Sequence, residues 1–208
     1  MNRNQLFILI TSLISFLILA AFVDNLQAIQ LDTYLFILIN QRLALEWLDP
    51  LFEFGAIMLV FIPLVPATGL FFTGDSNTKK IIILLATVII FSDLLKDVIK
   101  DIIGRLRPQD ALEEVRLVIG SEDGRSFPSG HTTVASAITT FVIYFSEKRA
   151  KLLMILYLLT VGYSRIYVGV HYPLDVVGGM LLGVSTSLGL VALYETVSSK
   201  TDFSLKKE

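Results

Sequence analysis

A helix that crosses a bilayer needs about 20 mostly apolar residues. Six stretches of this chain have that length and character: 6–24, 51–73, 79–99, 131–147, 150–168 and 174–197. In hydrocarbon the backbone must satisfy its own polar groups, and a helix does so within a single segment. The expected fold class is therefore all-α, an integral membrane bundle of about six transmembrane helices. Charge agrees with this reading, since only 17% of the 208 residues are charged, against about 25% in soluble domains. Residues 1–198 read as one membrane-embedded domain and 199–208 as a polar tail. The first apolar run, Leu6 to Val23, exceeds the roughly 7–15 residues of a signal-peptide core, so it is expected to stay as the first helix.

The links between the runs carry the remaining information. Gly74 to Thr78 and Glu147 to Arg149 are short polar turns, which make their flanking helices antiparallel neighbours. Residues 31–48 mix apolar side chains with Asn40, Arg42, Glu46 and Trp47. They read either as an interfacial amphipathic segment framing a lateral entrance or as a plain connecting helix. Gly104 to Pro128 is the longest polar link, and long loops are often functional. Basic residues are nearly balanced between the two sets of links, so the positive-inside rule decides little. Retaining some basic residues for chemistry favours the long loop outside.

Three polar clusters fall at helix ends that this topology brings to one side. Lys100 is followed by six residues and then Arg107-Pro108; next comes Pro128-Ser129-Gly130-His131; last come Ser164-Arg165, His171 and Asp175. Arginine forks match phosphate oxygens and lysine adds a point charge. Residues 128–131 open a helix, whose free N–H groups favour an anion. Ser129 either adds a hydroxyl donor or caps that helix. His171 and Asp175 are four apart, which puts them on one face if the segment is helical; a carboxylate on one ring nitrogen leaves the other free to attack. His131 offers a general acid. Arg105 and Arg116 in the loop add charge suited to a second phosphate. Each cluster alone has a bland reading as anchors, caps or interfacial histidines.

Together, and in this order, the three motifs resemble the tripartite signature of the type 2 phosphatidic acid phosphatase family, from about Leu51 to about Leu190. The resemblance implies that His171 is the nucleophile and forms a phosphohistidine, that Asp175 orients it, and that His131 protonates the leaving group. It implies that Lys100, Arg107, Ser129, Gly130 and Arg165 hold the phosphate, with no metal and no cofactor. Within that family the compact size and short tails resemble bacterial lipid phosphatases, which implies the inner (plasma) membrane; with the long loop outside, the site is expected to face the periplasm or exterior. The expected substrate is an envelope lipid such as undecaprenyl diphosphate; phosphatidylglycerophosphate, phosphatidic acid and lipid A 1-phosphate are alternatives.

Asp93, Asp97 and Asp101 recur every fourth residue beside Lys96 and Lys100. They read as carboxylates partnering lysines on a helix face rather than as a Mg²⁺ site, with Asp97 helping to place Lys100. A net charge of −2 gives no sign of a nucleic-acid partner. The absence of cysteine excludes thiol nucleophiles. The rivals from other classes are a transport protein and a non-catalytic phosphate-binding membrane protein. Oligomeric state is not legible.

Overall fold

The computed structural model describes residues 1–145 and 148–199. The turn at Glu147 and the tail from Lys200 lie outside the described residues, which are helical without strands. In chain order the helices are α1 (Arg3–Phe22), α2 (Leu26–Ile37), α3 (Asp49–Ile57), α4 (Leu64–Thr73), α5 (Ser76–Ile103), α6 (Pro108–Ala111), α7 (Gly130–Phe145), α8 (Lys148–Tyr167) and α9 (Pro173–Ser198).

The boundaries follow local chemistry. Asn2 and Gln5 cap α1 reciprocally. Asp75 accepts from Thr78 N–H and starts α5, so the expected polar turn shrinks to two residues. Gly104, at φ 72°, ends α5 in the left-handed conformation that glycine adopts without a Cβ penalty.

The run 51–73 is not one straight helix. The segments Glu46–Ile57 and Leu59–Thr73 meet at a 43° bend. Pro63 and Pro66 supply no N–H to a helix ladder and crowd the preceding turn, which hydropathy alone does not register. By length and apolarity, α1 and α9 each suffice to cross a membrane, and the bent pair makes a third. Of the other expected spans, α7 has 16 described residues. Helix α5 carries Lys79 and Lys80 at its start and alternating acids and lysines in its second half, and α8 is basic at both ends.

Packing between helices relies on small and hydroxylated residues. Lipid tails are as apolar as leucine, so helices in a bilayer associate through close contact and hydrogen bonds. Ser12 of α1 meets Ser185 of α9 at 2.9 Å, and Ser92 of α5 meets Thr186 at 2.7 Å. Helices α7 and α9 form the central seam, where Ser136 donates to the Met180 carbonyl at 2.7 Å. Leu84, Leu85, Val88, Ile138, Phe141 and Val191 fill the space between α5, α7 and α9. The large apolar residues of α1, among them Phe7, Leu17 and Phe22, face outward.

Candidate active site

The C-terminal end of α5, the start of α7 and the loop from α8 to α9 converge at one end of the bundle. Lys100, Arg107, Gly130, His131 and His171 line one cavity of about 860 Å³. Asp93, Lys96, Asp97 and Asp101 of α5 and Glu122, Asp123 and Arg125 of the long loop extend this polar end, and an apolar side is formed by Val60 and Phe61 from the bend before α4, Leu64 at the start of α4, Ile89, Ile90 and Leu94 from α5, and Val134 from α7. The expected framing of this opening by residues 31–48 is replaced by the bend before α4. Residues 31–48 hold the long loop instead: Asn40, fully buried in a widened helical turn, donates to the Arg116 and Tyr167 carbonyls at 2.8 Å each.

His171 is 1% exposed and sits between two partners. Its Nδ1 lies 3.5 Å from Asp175 Oδ2 and its Nε2 lies 3.3 Å from Arg107 Nη1. Burial pushes His171 down to about 3 against the opposing pull of Asp175, so the imidazole is neutral at physiological pH. A neutral ring with Nδ1–H directed at the carboxylate keeps the Nε2 lone pair on the Arg107 side. The Ser126 hydroxyl donates to Asp175 Oδ2 and stands 3.4 Å from His171 Nδ1. Nothing in the sequence pattern marked Ser126, one of two serines in the long polar loop.

Arg107 Nη1 donates to the Val170 carbonyl at 3.1 Å and is ion-paired with Glu122 Oε2 at 3.0 Å, and Nη2 donates to the Asp123 carbonyl at 3.2 Å. Arg165 is fully buried; Nη1 donates to the Ala56 carbonyl at 2.9 Å, Nη2 is ion-paired with Glu122, and the buried Nε–H has no hydrogen-bond partner among the described residues. Glu122 thus spans both arginines. Burial pushes its carboxyl up, but Arg165 first and then His171 and Arg107 outweigh that and hold it at about 2. Lys100 Nζ donates to the Arg125 carbonyl. The Ser129 hydroxyl turns to Thr132 Oγ1 at 3.0 Å, the local contact of a helix start, while its N–H donates to the Asp175 carbonyl at 3.0 Å.

Gly130 serves a close approach. A Cβ there would lie 2.9 Å from Cδ and Cε of Lys96, whose stem crosses the glycine. Lys96 Nζ pairs with Asp93 at 3.1 Å and Asp97 at 2.6 Å, so Asp97 partners Lys96 rather than placing Lys100. Arg105 and Arg116, expected to be available to a second phosphate, are engaged within the protein. Arg105 bridges Asp32 and Asp175, and Arg116 pairs with Asp49. Burying an unpaired guanidinium is expensive, and both loop arginines have found carboxylates. Among the described residues no three of His, Asp and Glu converge as a metal-ligand set.

The family model described as PAP2 superfamily matches residues 81–199, more than half of the chain. The chain belongs to the PAP2 superfamily. Within that superfamily it is 35% identical over 119 residues to an undecaprenyl-diphosphatase of Sulfolobus acidocaldarius, a match covering 57% of this chain and 57% of the relative. It superposes on Aquifex aeolicus LpxE with a TM-score of 0.69 and 32% identity, covering 78% of this chain and 95% of that one. A transmembrane PAP2-type phosphatidylglycerolphosphate phosphatase from Bacillus subtilis shares the fold, with a TM-score of 0.73 at 24% identity over 91% of this chain and 96% of that one. The PAP2 fold, its apolar helices and these neighbours make this an integral membrane protein.

Proposed function

We propose that the chain is a lipid phosphate or diphosphate phosphatase working through a phosphohistidine on His171. The observation that carries this reading is the placement of His171 between Asp175 at Nδ1 and Arg107 at Nε2, on a cavity that has a charged end and an apolar side. A lipid headgroup at the polar end leaves its tail against Val60, Phe61, Leu64, Ile90 and Leu94, continuous with the bilayer.

In this mechanism His171 Nε2 attacks phosphorus, and the bond from phosphorus to the lipid oxygen breaks as His131 gives that oxygen a proton. Asp175 stabilises the positive charge that the ring acquires. Arg107, Arg165, Lys100 and the N–H groups at the start of α7 stabilise the oxygens of the transferring phosphoryl group. Water deprotonated by His131 then attacks the phosphohistidine, releasing phosphate and restoring both histidines.

Among substrates, the similarity to an undecaprenyl-diphosphatase favours a polyprenyl diphosphate, and the fold shared with a phosphatidylglycerolphosphate phosphatase keeps that lipid as the alternative. Six spans, an inner-membrane location and a site facing the periplasm or exterior complete the reading. The test is phosphate release by purified protein in detergent with EDTA present, from a panel of lipid phosphates, beside His171→Ala. Release that survives EDTA and vanishes in the variant is expected. Release requiring a metal, or persisting without His171, would sink the mechanism; a protein that binds vanadate yet releases nothing would be a phosphate binder.

A further inference from the structure

Asp32 is a fully buried carboxylate that the mechanism above does not use. It comes from α2, a helix outside all three motifs. Its Oδ2 accepts from Arg105 Nη2 at 2.7 Å, and its Oδ1 accepts from the Leu174 N–H at 2.8 Å, in the first turn of α9. The other arm of the same guanidinium, Arg105 Nη1, donates to Asp175 Oδ1 at 2.6 Å. Arg105 is 5% exposed, its guanidinium lies over the Tyr172 ring at 4.4 Å, and Asp24 is 3.6 Å from its Nε.

The division of labour at Asp175 follows from this. Oδ1 is taken by Arg105, and Oδ2 faces His171 Nδ1, the Ser126 hydroxyl and the Tyr172 N–H. If Arg105 had Asp175 as its sole carboxylate partner, it would neutralise the charge that steadies His171. With Asp32 on the opposite arm, one positive charge is shared between two buried carboxylates, and Asp175 retains negative character towards the imidazole. Asp32 also fixes the start of the helix that carries Asp175. Buried charges of this kind are costly when one partner is lost, so the three groups act as a unit.

We propose that Asp32, acting through Arg105, is a positioning residue that sets the orientation and charge of Asp175 for His171. This rests on the reading of His171 as nucleophile. The experiment measures kcat and KM of the full chain in detergent, on the lipid phosphate it turns over fastest, for Asp32→Asn, Arg105→Gln, the double variant and His171→Ala. Asp32→Asn keeps an acceptor for Leu174 N–H and removes the charge. By analogy with the outer partners of metal-bound histidines, its kcat is expected to fall about 10- to 100-fold with KM within about twofold. The double variant is expected to fall no further than Arg105→Gln, because the two residues act in series.

An unchanged kcat in Asp32→Asn, a rise in KM alone, or losses that multiply in the double variant would each overturn the proposal. Should Asp32→Asn fail to fold, Arg105→Lys carries the test: it keeps the charge but cannot fork between two carboxylates. It should lose kcat by about tenfold or more, and wild-type kcat would refute the link. An inactive His171→Ala beside an unimpaired Asp32→Asn rejects this inference alone, whereas activity in His171→Ala rejects the nucleophile reading with it.

Discussion

Replacing Gly183 by alanine tests whether the α7–α9 seam sets the site. A Cβ on Gly183 would meet the Thr133 carbonyl oxygen at 2.4 Å, Ser136 Cβ at 2.6 Å and Ala137 N at 2.7 Å. Two of these three are backbone atoms, so no rotamer change relieves the clash. Ordinary contact begins near 3.4 Å, and the helices must part by about 1 Å. Overpacking of this kind costs about 1–3 kcal/mol. Gly189, two turns further along the same helix, has nothing within 4 Å of its would-be Cβ. Alanine there is expected to be neutral or to stabilise by about 0.5–1 kcal/mol through helix propensity. The seam also ties the two helix starts through the Ser129 N–H and the Asp175 carbonyl. Misplacement of reacting groups by about 1 Å can cost about 100-fold in rate, so Gly183→Ala should lose phosphate release as well as stability. The assay is thermal unfolding in detergent alongside phosphate release for both variants. If Gly183→Ala unfolds no earlier than Gly189→Ala, the seam is not close-packed and the reasoning fails.

Glu122 and His171 both have depressed values, so each contributes stability at higher pH that is lost on acidification. For His171 the loss runs from its ordinary value of 6.5 down towards 3, and for Glu122 from 4.5 towards 2. The apparent melting temperature should fall through this range, and Glu122→Gln should flatten the part below pH 4.5. Asp175→Asn leaves one oxygen and an NH₂ group where Arg105, Ser126, His171 and the Tyr172 N–H all present donors. Its kcat should drop by about 10³–10⁴-fold, as when a triad carboxylate is lost; a loss under tenfold would mean that His171 does not depend on it. Arg116→Ala should leave kcat and KM unchanged on lipid diphosphates, since Arg116 pairs with Asp49 and does not line the cavity. A marked rise in KM for diphosphates alone would restore Arg116 to the substrate.

The parts of this molecule that the sequence made legible are those where one residue type has one use. Lys100, Arg107, His131 and His171 stood at fixed spacings, and the structure brings them to one cavity. The ends of α5 were less plain: the expected span of 79–99 widens to Ser76–Ile103, because Asp75 caps the start and Gly104 ends the helix. What stayed hidden depends on which distant residue answers a charge. No motif singles out Asp32, and that its partner is Arg105, 73 positions away, is a property of the fold. Arg105 and Arg116 read as spare charge because a loop arginine looks the same whether it faces solvent or a carboxylate. The bend before α4 is hidden because hydropathy averages over Pro63 and Pro66, whereas the mixed polarity of residues 31–48 and Trp47 point to an opening there.

Glu122 gives the cavity a character beyond its shape. Its carboxylate already joins Arg107 to Arg165, so an anion reaching those guanidiniums arrives at a site that holds one counterion for two positive charges. Uptake there is a swap of one counterion for another, as on an ion-exchange resin held in its carboxylate form. Monovalent ions of the surrounding water gain little from such a swap. On the reading proposed above, a dianionic phosphate gains the most, because it brings two negative charges to guanidiniums that share one in Glu122. The same loop carboxylate is then at hand to retake the arginines as free phosphate departs, which would keep the product from lingering on the cations that helped to form it.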